Sequence, residues 1–381
     1  MKKCLCVILV FIALIIFSGC SKKELNYTVS EVDGVKTYHN KNIPSDSNFK
    51  ISPKEVFTIN CNYNEEDSTQ IIKRFKDFDL DSKGNIFILD SKQCEITKFD
   101  RTGKFIKKFG KQGKGPGEST ISICMTVLND TIMYDDYEAK QILKFDTEGN
   151  FISKINYPPY GSSEIDLFKA VNKTTIVGYN AYYENLEDGF YITYDLIAMN
   201  SKFEKQKDLL KNRIKFVEKA YNYFDIFLTA FTYSNDQIYV AEKSDSKYHI
   251  NVFNSQYERL YSIKKNYARI QFNDEEFTVF GKKFKNEWIV NNNKSRYKSA
   301  ITQMEVDKNG RLWVFSSINR DSTNQFDLLA DIFKDGIFLK QIKLDICKGY
   351  DYANFDHNIR LVQDRIFYIN SEEQYMKVYE Y

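Results

Sequence analysis

Histidine, tryptophan and proline are scarce in this 381-residue chain, at 3, 2 and 5 copies. The histidines, His39, His249 and His357, stand far apart, and no HExxH or GxSxG motif is present. That argues against a zinc hydrolase and against a serine hydrolase of the nucleophile-elbow kind. Scarce proline leaves sheets uninterrupted, since proline cannot donate to a ladder. The apolar run Leu5–Phe17 falls short of the roughly 20 residues a membrane-spanning helix needs. An excess of one charge is missing as well, with 54 Lys+Arg against 52 Asp+Glu. Without a basic field, nucleic acid is excluded as a partner.

Lys2 and Lys3, the short apolar run and the end Phe17-Ser18-Gly19-Cys20 have the order of a secretory signal, giving a signal peptide over 1–19. The small residues before Cys20 resemble the lipobox of bacterial lipoproteins, with Phe17 a bulkier residue than usual there. The resemblance implies cleavage before Cys20, diacylglycerol on its thiol and acyl chains of the palmitate type. Each buried methylene then adds about 0.8 kcal/mol of membrane attachment. The competing reading is an ordinary signal peptide with an incidental cysteine. Loss of Lys2 and Lys3 leaves 52 basic and 52 acidic residues. Ser21 is unlike the aspartate that retains lipoproteins in the inner membrane, and Lys22 and Lys23 are unlike the acidic residues of surface-exported ones. The expected address is therefore the cell envelope, at the outer membrane on its periplasmic face. Residues 20–48 are polar and without a period, and are expected to form a lipidated tether long enough to let the domain search nearby.

Four cysteines remain after the signal and Cys20: Cys61, Cys94, Cys124 and Cys347. They form no CxxC pair and are too few for a disulfide framework, so isolated buried thiols are expected, with one disulfide left open.

What the chain has in quantity is short alternating runs of Ile, Val, Phe and Tyr, closed by Gly, Asn and Asp turns, the signature of strands. These runs repeat. Asp81-Ser82-Lys83-Gly84-Asn85 leads into Ile86–Asp90, Glu95–Asp100, the turn Arg101-Thr102-Gly103 and Lys104–Gly110. The pattern returns at Thr131–Asp135, Gln141–Asp146, Thr147-Glu148-Gly149 and Phe151–Ile155. Weaker copies follow around 174–199, 237–263 and 311–342, and Asp307–Arg311 re-creates the first turn. A period near 45 with four strands per unit fits a propeller blade, because a twisted sheet can cover both faces only by stacking neighbours around an axis. Five blades are complete. Ile359–Val362, Arg365–Asn370 and Tyr375–Tyr381 supply three strands of a sixth, and Ile51–Ile59 is the surplus strand that closes it and removes two open edges. The expected fold is all-β, a six-bladed β-propeller over 49–381.

Gly84–Asp90, Ile96, Phe99-Asp100, Gly103-Lys104 and Phe109–Glu118 resemble an NHL-type repeat. The whole arrangement is similar to the six-bladed β-propeller lipoproteins of Bacteroidetes, with the Gly-Lys-Gly-Pro-Gly-Glu loop at 113–118 the strongest local marker. The resemblance covers the mature chain, is strong in the first two blades and weak in the third and fourth, and implies a fold and an envelope address without an activity.

Candidate chemistry is sparse. The 113–118 loop lacks the Gly-Lys-Ser/Thr ending of a phosphate loop and reads as a connection between blades. Asp135-Asp136, at a strand end expected to face the channel, are candidate calcium ligands, although most acidic pairs are solvated turns. Tyr179, Tyr182 and Tyr183, beside Asn180 and Asn185, are candidates for a stacking platform, or else pack on the next blade. Asn273 and Glu276 have capping-box spacing, and Phe277, Phe280, Phe284 and Trp288 recur at helical spacing. A short helical insertion over about 274–297, between blades four and five, is expected either to pack on the propeller or to roof the channel, which makes Trp288 a candidate ligand contact. No cofactor is expected otherwise. The sequence favours a non-enzymatic envelope binding or scaffold module that recognises a glycan, peptide or envelope protein. The alternative is a metal-dependent propeller enzyme of the lactonase, lyase or hydrolase type, whose ligands come from several blades and leave no local motif.

Overall fold

The computed structural model describes residues 25–61, 71–157, 164–215, 229–234, 236–274, 297–319, 328–346, 359–370 and 374–381. Cys20, Trp288 and nearly all of the expected 274–297 insertion lie outside them. Every described element is a strand.

The first strands among the described residues are β1 (Tyr27–Val32), β2 (Val35–Asn40) and β3 (Lys54–Asn60). Blade one is β4 (Phe75–Leu80), β5 (Ile86–Asp90), β6 (Glu95–Phe99) and β7 (Phe105–Phe109), and β8 (Lys111–Gln112) and β9 (Glu118–Ser119) link it onward. Blade two is β10 (Met125–Leu128), β11 (Thr131–Asp136), β12 (Gln141–Asp146) and β13 (Phe151–Asn156). Blade three is β14 (Glu164–Ala170), β15 (Thr175–Leu186), β16 (Gly189–Asn200) and β17 (Lys205–Leu210), with β18 (Arg213–Lys215) added on β16. Blade four is β19 (Phe231–Ser234), β20 (Gln237–Ala241), β21 (Tyr248–Phe253) and β22 (Arg259–Lys265). Blade five is β23 (Ile301–Val306), β24 (Leu312–Ser316), β25 (Leu328–Lys334) and β26 (Ile337–Leu344). Blade six is β27 (Ile359–Val362), β28 (Arg365–Asn370) and β29 (Tyr375–Glu380), completed by β3 antiparallel to β29. The molecule is thus a six-bladed β-propeller closed by an N-terminal strand, as the strand count requires.

Burial explains the composition. A middle strand such as β5 is covered on both faces by neighbouring blades and is buried throughout, so it reads as a continuous apolar run. The outer strand β13 is almost wholly exposed. Six apolar clusters form, one between each pair of adjacent blades; that between blades six and one joins Ile59 of the closing strand to Phe78, Ile88 and Val378.

The turns repeat one device. Asp100 accepts from the backbone of Thr102 and Lys104 with Gly103 at φ 84°, and Asp146 accepts from Asn150 with Gly149 at φ 81°. Both glycines give room to an aromatic side chain of the blade before them. A Cβ on Gly103 would meet Phe57 of β3 at 2.5 Å, and one on Gly149 would meet Phe109 of β7 at 2.6 Å.

The tether expected over 20–48 is overturned in its central part. β1 and β2 form a hairpin, and β2 pairs in parallel with β22, making blade four a six-stranded sheet. Tyr38 packs over Gly336 of blade five, as Phe57 and Phe109 pack over their glycines. Asn40 is buried; its amide donates to Gly336 O at 2.9 Å and accepts from Phe338 N at 2.8 Å. Ser45 and Asp46 continue the strap along β26 through Phe338 O and Leu339 O. Polar composition misled here because an outer-rim strand buries little side chain and is held by backbone hydrogen bonds, for which polar residues serve as well as apolar ones.

Candidate functional site

The first strands of the blades line the axis, with β10 beside β4 and β14, and β23 beside β19 and β27. Such a strand has one edge without a strand partner, and its backbone groups must be satisfied some other way. Side chains do this from blade to blade. Asp77 Oδ2 accepts from Met125 N at 2.9 Å, and Asp79 Oδ2 accepts from Val127 N at 2.9 Å and from the Thr126 hydroxyl at 3.0 Å. Thr126 Oγ1 in turn accepts from Ala170 N at 2.8 Å. Glu305 accepts from Leu361 N at 3.3 Å, Gln303 donates to Ile359 O, and Arg360 donates to Phe78 O at 2.5 Å.

Charge converges on the same place. Lys169 reaches from blade three to both Asp77 oxygens, each at 2.8 Å, and also donates to Met125 O. Arg360 lies 3.8 Å from Asp79 and over the Phe78 ring. Burial pushes the Glu305 carboxyl up to about 7, against the pull of Arg360. Asp77, Asp79, Lys169, Glu305 and Arg360 come from blades one, three, five and six and have no local spacing to betray them. The one available signal was polar residues inside otherwise apolar first strands.

Asp135 and Asp136 are neighbours on β11, so their side chains leave on opposite sides of the sheet and do not converge. Asp135 Oδ1 accepts from Ile123 N and Cys124 N at 2.8 and 2.9 Å; Asp136 Oδ1 accepts from the Thr120 hydroxyl at 2.7 Å. Asp90 holds Lys73 N and Arg74 N in the equivalent place in blade one. These aspartates pin the incoming linker to the blade. Among the described residues no group of three or more His, Cys, Asp and Glu is arranged to hold a metal ion.

The 113–118 loop is the expected connection, with β8 and β9 paired in parallel. Its glycines make way for Glu118, whose carboxylate accepts from Gly115 N at 2.9 Å and meets Lys111 at 2.8 Å. A Cβ on Gly113 would sit 2.0 Å from Glu118 Oε2. Cys61, Cys94 and Cys124 are buried free thiols, and burial raises the Cys61 thiol to about 12.

The tyrosine cluster separates into three environments. Tyr179 is buried in the blade, donating to Thr229 O and packing edge-on to Phe231, so it is removed from any surface platform. Tyr182 donates to Asp195 at 3.2 Å. Tyr183 is 57% exposed and stacks on Phe190, with centroids 5.8 Å apart and planes at 11°.

Tyr183 and Phe190 lie on an outgrowth. β15 and β16 have twelve residues each, against five and five for β5 and β6, and their far ends rise beyond the blade with β18 paired alongside. On one face of this outgrowth the register places Tyr183, Asn185 and Phe190. On the other, Arg213 lies over the Tyr191 ring at 4.3 Å and bridges Glu184 at 3.2 Å, while Asp188 holds Tyr191 and Lys215. The second face is closed by its own charges. The first presents exposed Tyr183, stacked on half-buried Phe190, beside the amide of Asn185.

Residues 43–298 match a family model described as 6-bladed beta-propeller. No curated protein matches the chain. Among solved structures, a member of the duf4221 family from Bacteroides vulgatus aligns with TM-score 0.51 at 9% identity, covering 86% of this chain and 97% of its own. A virginiamycin B lyase from Staphylococcus aureus aligns at 0.45 and 10% identity, covering 85% and 98%. A candidate exported protein from Bacteroides fragilis aligns at 0.47 and 14% identity, covering 90% and 98%. At 9% identity the first of these likenesses is one of fold alone.

Proposed function

The chain belongs to the DUF5128 family of six-bladed β-propellers, and from that premise we propose that it is an envelope-anchored binding module recognising a glycan, peptide or envelope protein through the propeller face. The observation that carries this reading is the blade-three outgrowth, with Tyr183 exposed and stacked on Phe190 next to Asn185. An aromatic pair already stacked offers a rigid apolar surface at small entropic cost, and a neighbouring amide supplies direction to a hydroxyl or peptide group. Cys20 holds the module at the outer membrane, on its periplasmic face, through its acyl chains. The axial carboxylates favour binding over metal chemistry, because Asp77, Asp79 and Glu305 already accept from backbone N–H groups.

The test is a soluble chain starting at Ser21, screened on glycan and peptide arrays and by crosslinked pull-down from envelopes. Tyr183→Ala is expected to weaken a bound ligand by about tenfold, the size of a lost stacking contact of roughly 1–1.5 kcal/mol, with the thermal midpoint unchanged. Binding that survives Tyr183→Ala and Phe190→Ala together would place the site elsewhere, and no binding on any screen would refute the module.

A further inference from the structure

We propose that the outer rim of blade four is the surface this protein lays against the lipid bilayer, so that the propeller axis runs parallel to the membrane. The proposal rests on the reading of Cys20 as the acyl carrier. It departs from the freely searching domain that a tether over 20–48 would allow.

Chain length is the first argument. Tyr27 opens β1, seven positions after Cys20. At no more than about 3.6 Å per residue this stretch spans at most ~25 Å. A domain of this size is about 50 Å across, so the far rim cannot reach the membrane at which Cys20 is held. The chain from Asn26 onward is not slack. Asn26 O accepts from Lys41 N at 2.9 Å, and its amide donates to Pro44 O at 2.8 Å. Beyond that, β2 is paired along β22 and Asn40 is locked into blade five.

The chemistry of the rim is the second argument. β1 is the outermost strand of the six-stranded sheet, and Leu25, Val29 and Val32 beside and along it are 63%, 48% and 61% exposed. Val32 pairs with Val35 across the hairpin. Continuing the register Lys36↔Tyr261 by one residue sets Val35 beside Leu260, itself 40% exposed, so Val32, Val35 and Leu260 form an apolar row on one face of the rim while Val29 projects from the other. Exposed apolar side chains on an edge strand invite association. Against headgroups they gain burial in the interface, and the edge is shielded from other chains. With six blades, blade one lies across the ring from blade four, and its rim at the Gly103 turn points away from the bilayer.

The experiment uses the full lipidated chain in vesicles of phosphatidylethanolamine and phosphatidylglycerol doped with a headgroup quencher. A fluorescent amino acid is placed at Val32 in one sample and at Thr102 in another. Quenching several-fold stronger at 32 than at 102 is expected. A flexible insert of about 20 Gly/Ser residues between Cys20 and Leu25 should bring the two toward equality, since its reach exceeds the domain's width when extended. Equal quenching without the insert, on protein whose mass shows Cys20 acylated, overturns the orientation alone. An unmodified Cys20 overturns the lipid reading and the orientation with it.

Discussion

At the scale of the residue, one turn geometry is written in two alphabets. Where Gly103 and Gly149 hold positive φ in blades one and two, Phe203 and Tyr257 hold it in blades three and four, at 63° and 62°. The side-chain cap is kept: Asn200 accepts from Lys202 N and Glu204 N, and Asn254 from Gln256 N and Glu258 N. Phe203 offsets the backbone cost by packing edge-on to Phe168 in the core. The repeat was therefore faint in the sequence at positions where it is intact in the structure. Glu305 supports a prediction at this scale. Its carboxyl stands above the usual glutamate value, at about 7, so the folded state binds more protons than the unfolded one between the two values. Stability contributed by the protonated form is complete below the unfolded value and declines as pH rises through 7. Glu305→Gln keeps an acceptor for Leu361 N without the charge. It should raise the melting temperature at pH 8 by a few degrees, on the order of 2–4 °C, and change nothing at pH 4. A variant that melts below the parent at pH 8 would contradict this.

At the scale of the element, the strap is the feature that composition concealed. Residues 27–40 carry few large apolar side chains, yet they form a hairpin whose aromatic Tyr38 does for blade five what Phe57 and Phe109 do for blades one and two. Its weakest point is Asn40, buried with both ends of its amide engaged. Asn40→Ala leaves Phe338 N and Gly336 O without partners in a buried place. The expected loss is about 2–3 kcal/mol, read as a lower denaturation midpoint in urea with m unchanged. An effect smaller than that of an exposed substitution would mean the strap is not held as described. The same variant should increase proteolysis near Leu25–Asn40 before the blades are cut. The outgrowth of blade three shows the opposite relation: Tyr179, Tyr182 and Tyr183 read as one cluster, but strand alternation and the edge of the blade send them to a core, a carboxylate and a surface.

At the scale of the whole molecule, the ring is closed by strand pairing. β3 pairs with β29 from Tyr375↔Asn60 to Glu380↔Lys54, and Ile59 and Phe57 complete the apolar cluster between blades six and one. A chain lacking residues 25–60 loses the strap and this closing strand together, opening two sheet edges and that cluster. It is expected to lose near-ultraviolet circular dichroism and to aggregate on expression. Adding residues 41–60 back should recover a folded ring of reduced stability, because β3 returns without the hairpin. A folded monomer without β3 would show that axial contacts alone hold the ring.

The sequence by itself determined the six-fold repeat, the strand that closes it and the character of the glycine-rich loop. Period, turn chemistry and apolar alternation are local quantities, and a ring of blades stacked face to face and closed by the surplus strand is the arrangement that satisfies all of them. Only the tertiary structure decided what each polar group does. Asp77, Asp79, Lys169, Glu305 and Arg360 meet at an axis from strands far apart in the chain. Asp135 and Asp136, adjacent in sequence, are parted by the pleat and engaged by different backbone and side-chain donors. The strap likewise depends on an edge of β22 more than two hundred residues away. Hydrogen bonds from a side chain to a distant backbone leave no periodic trace, so such roles are settled where the blades come together.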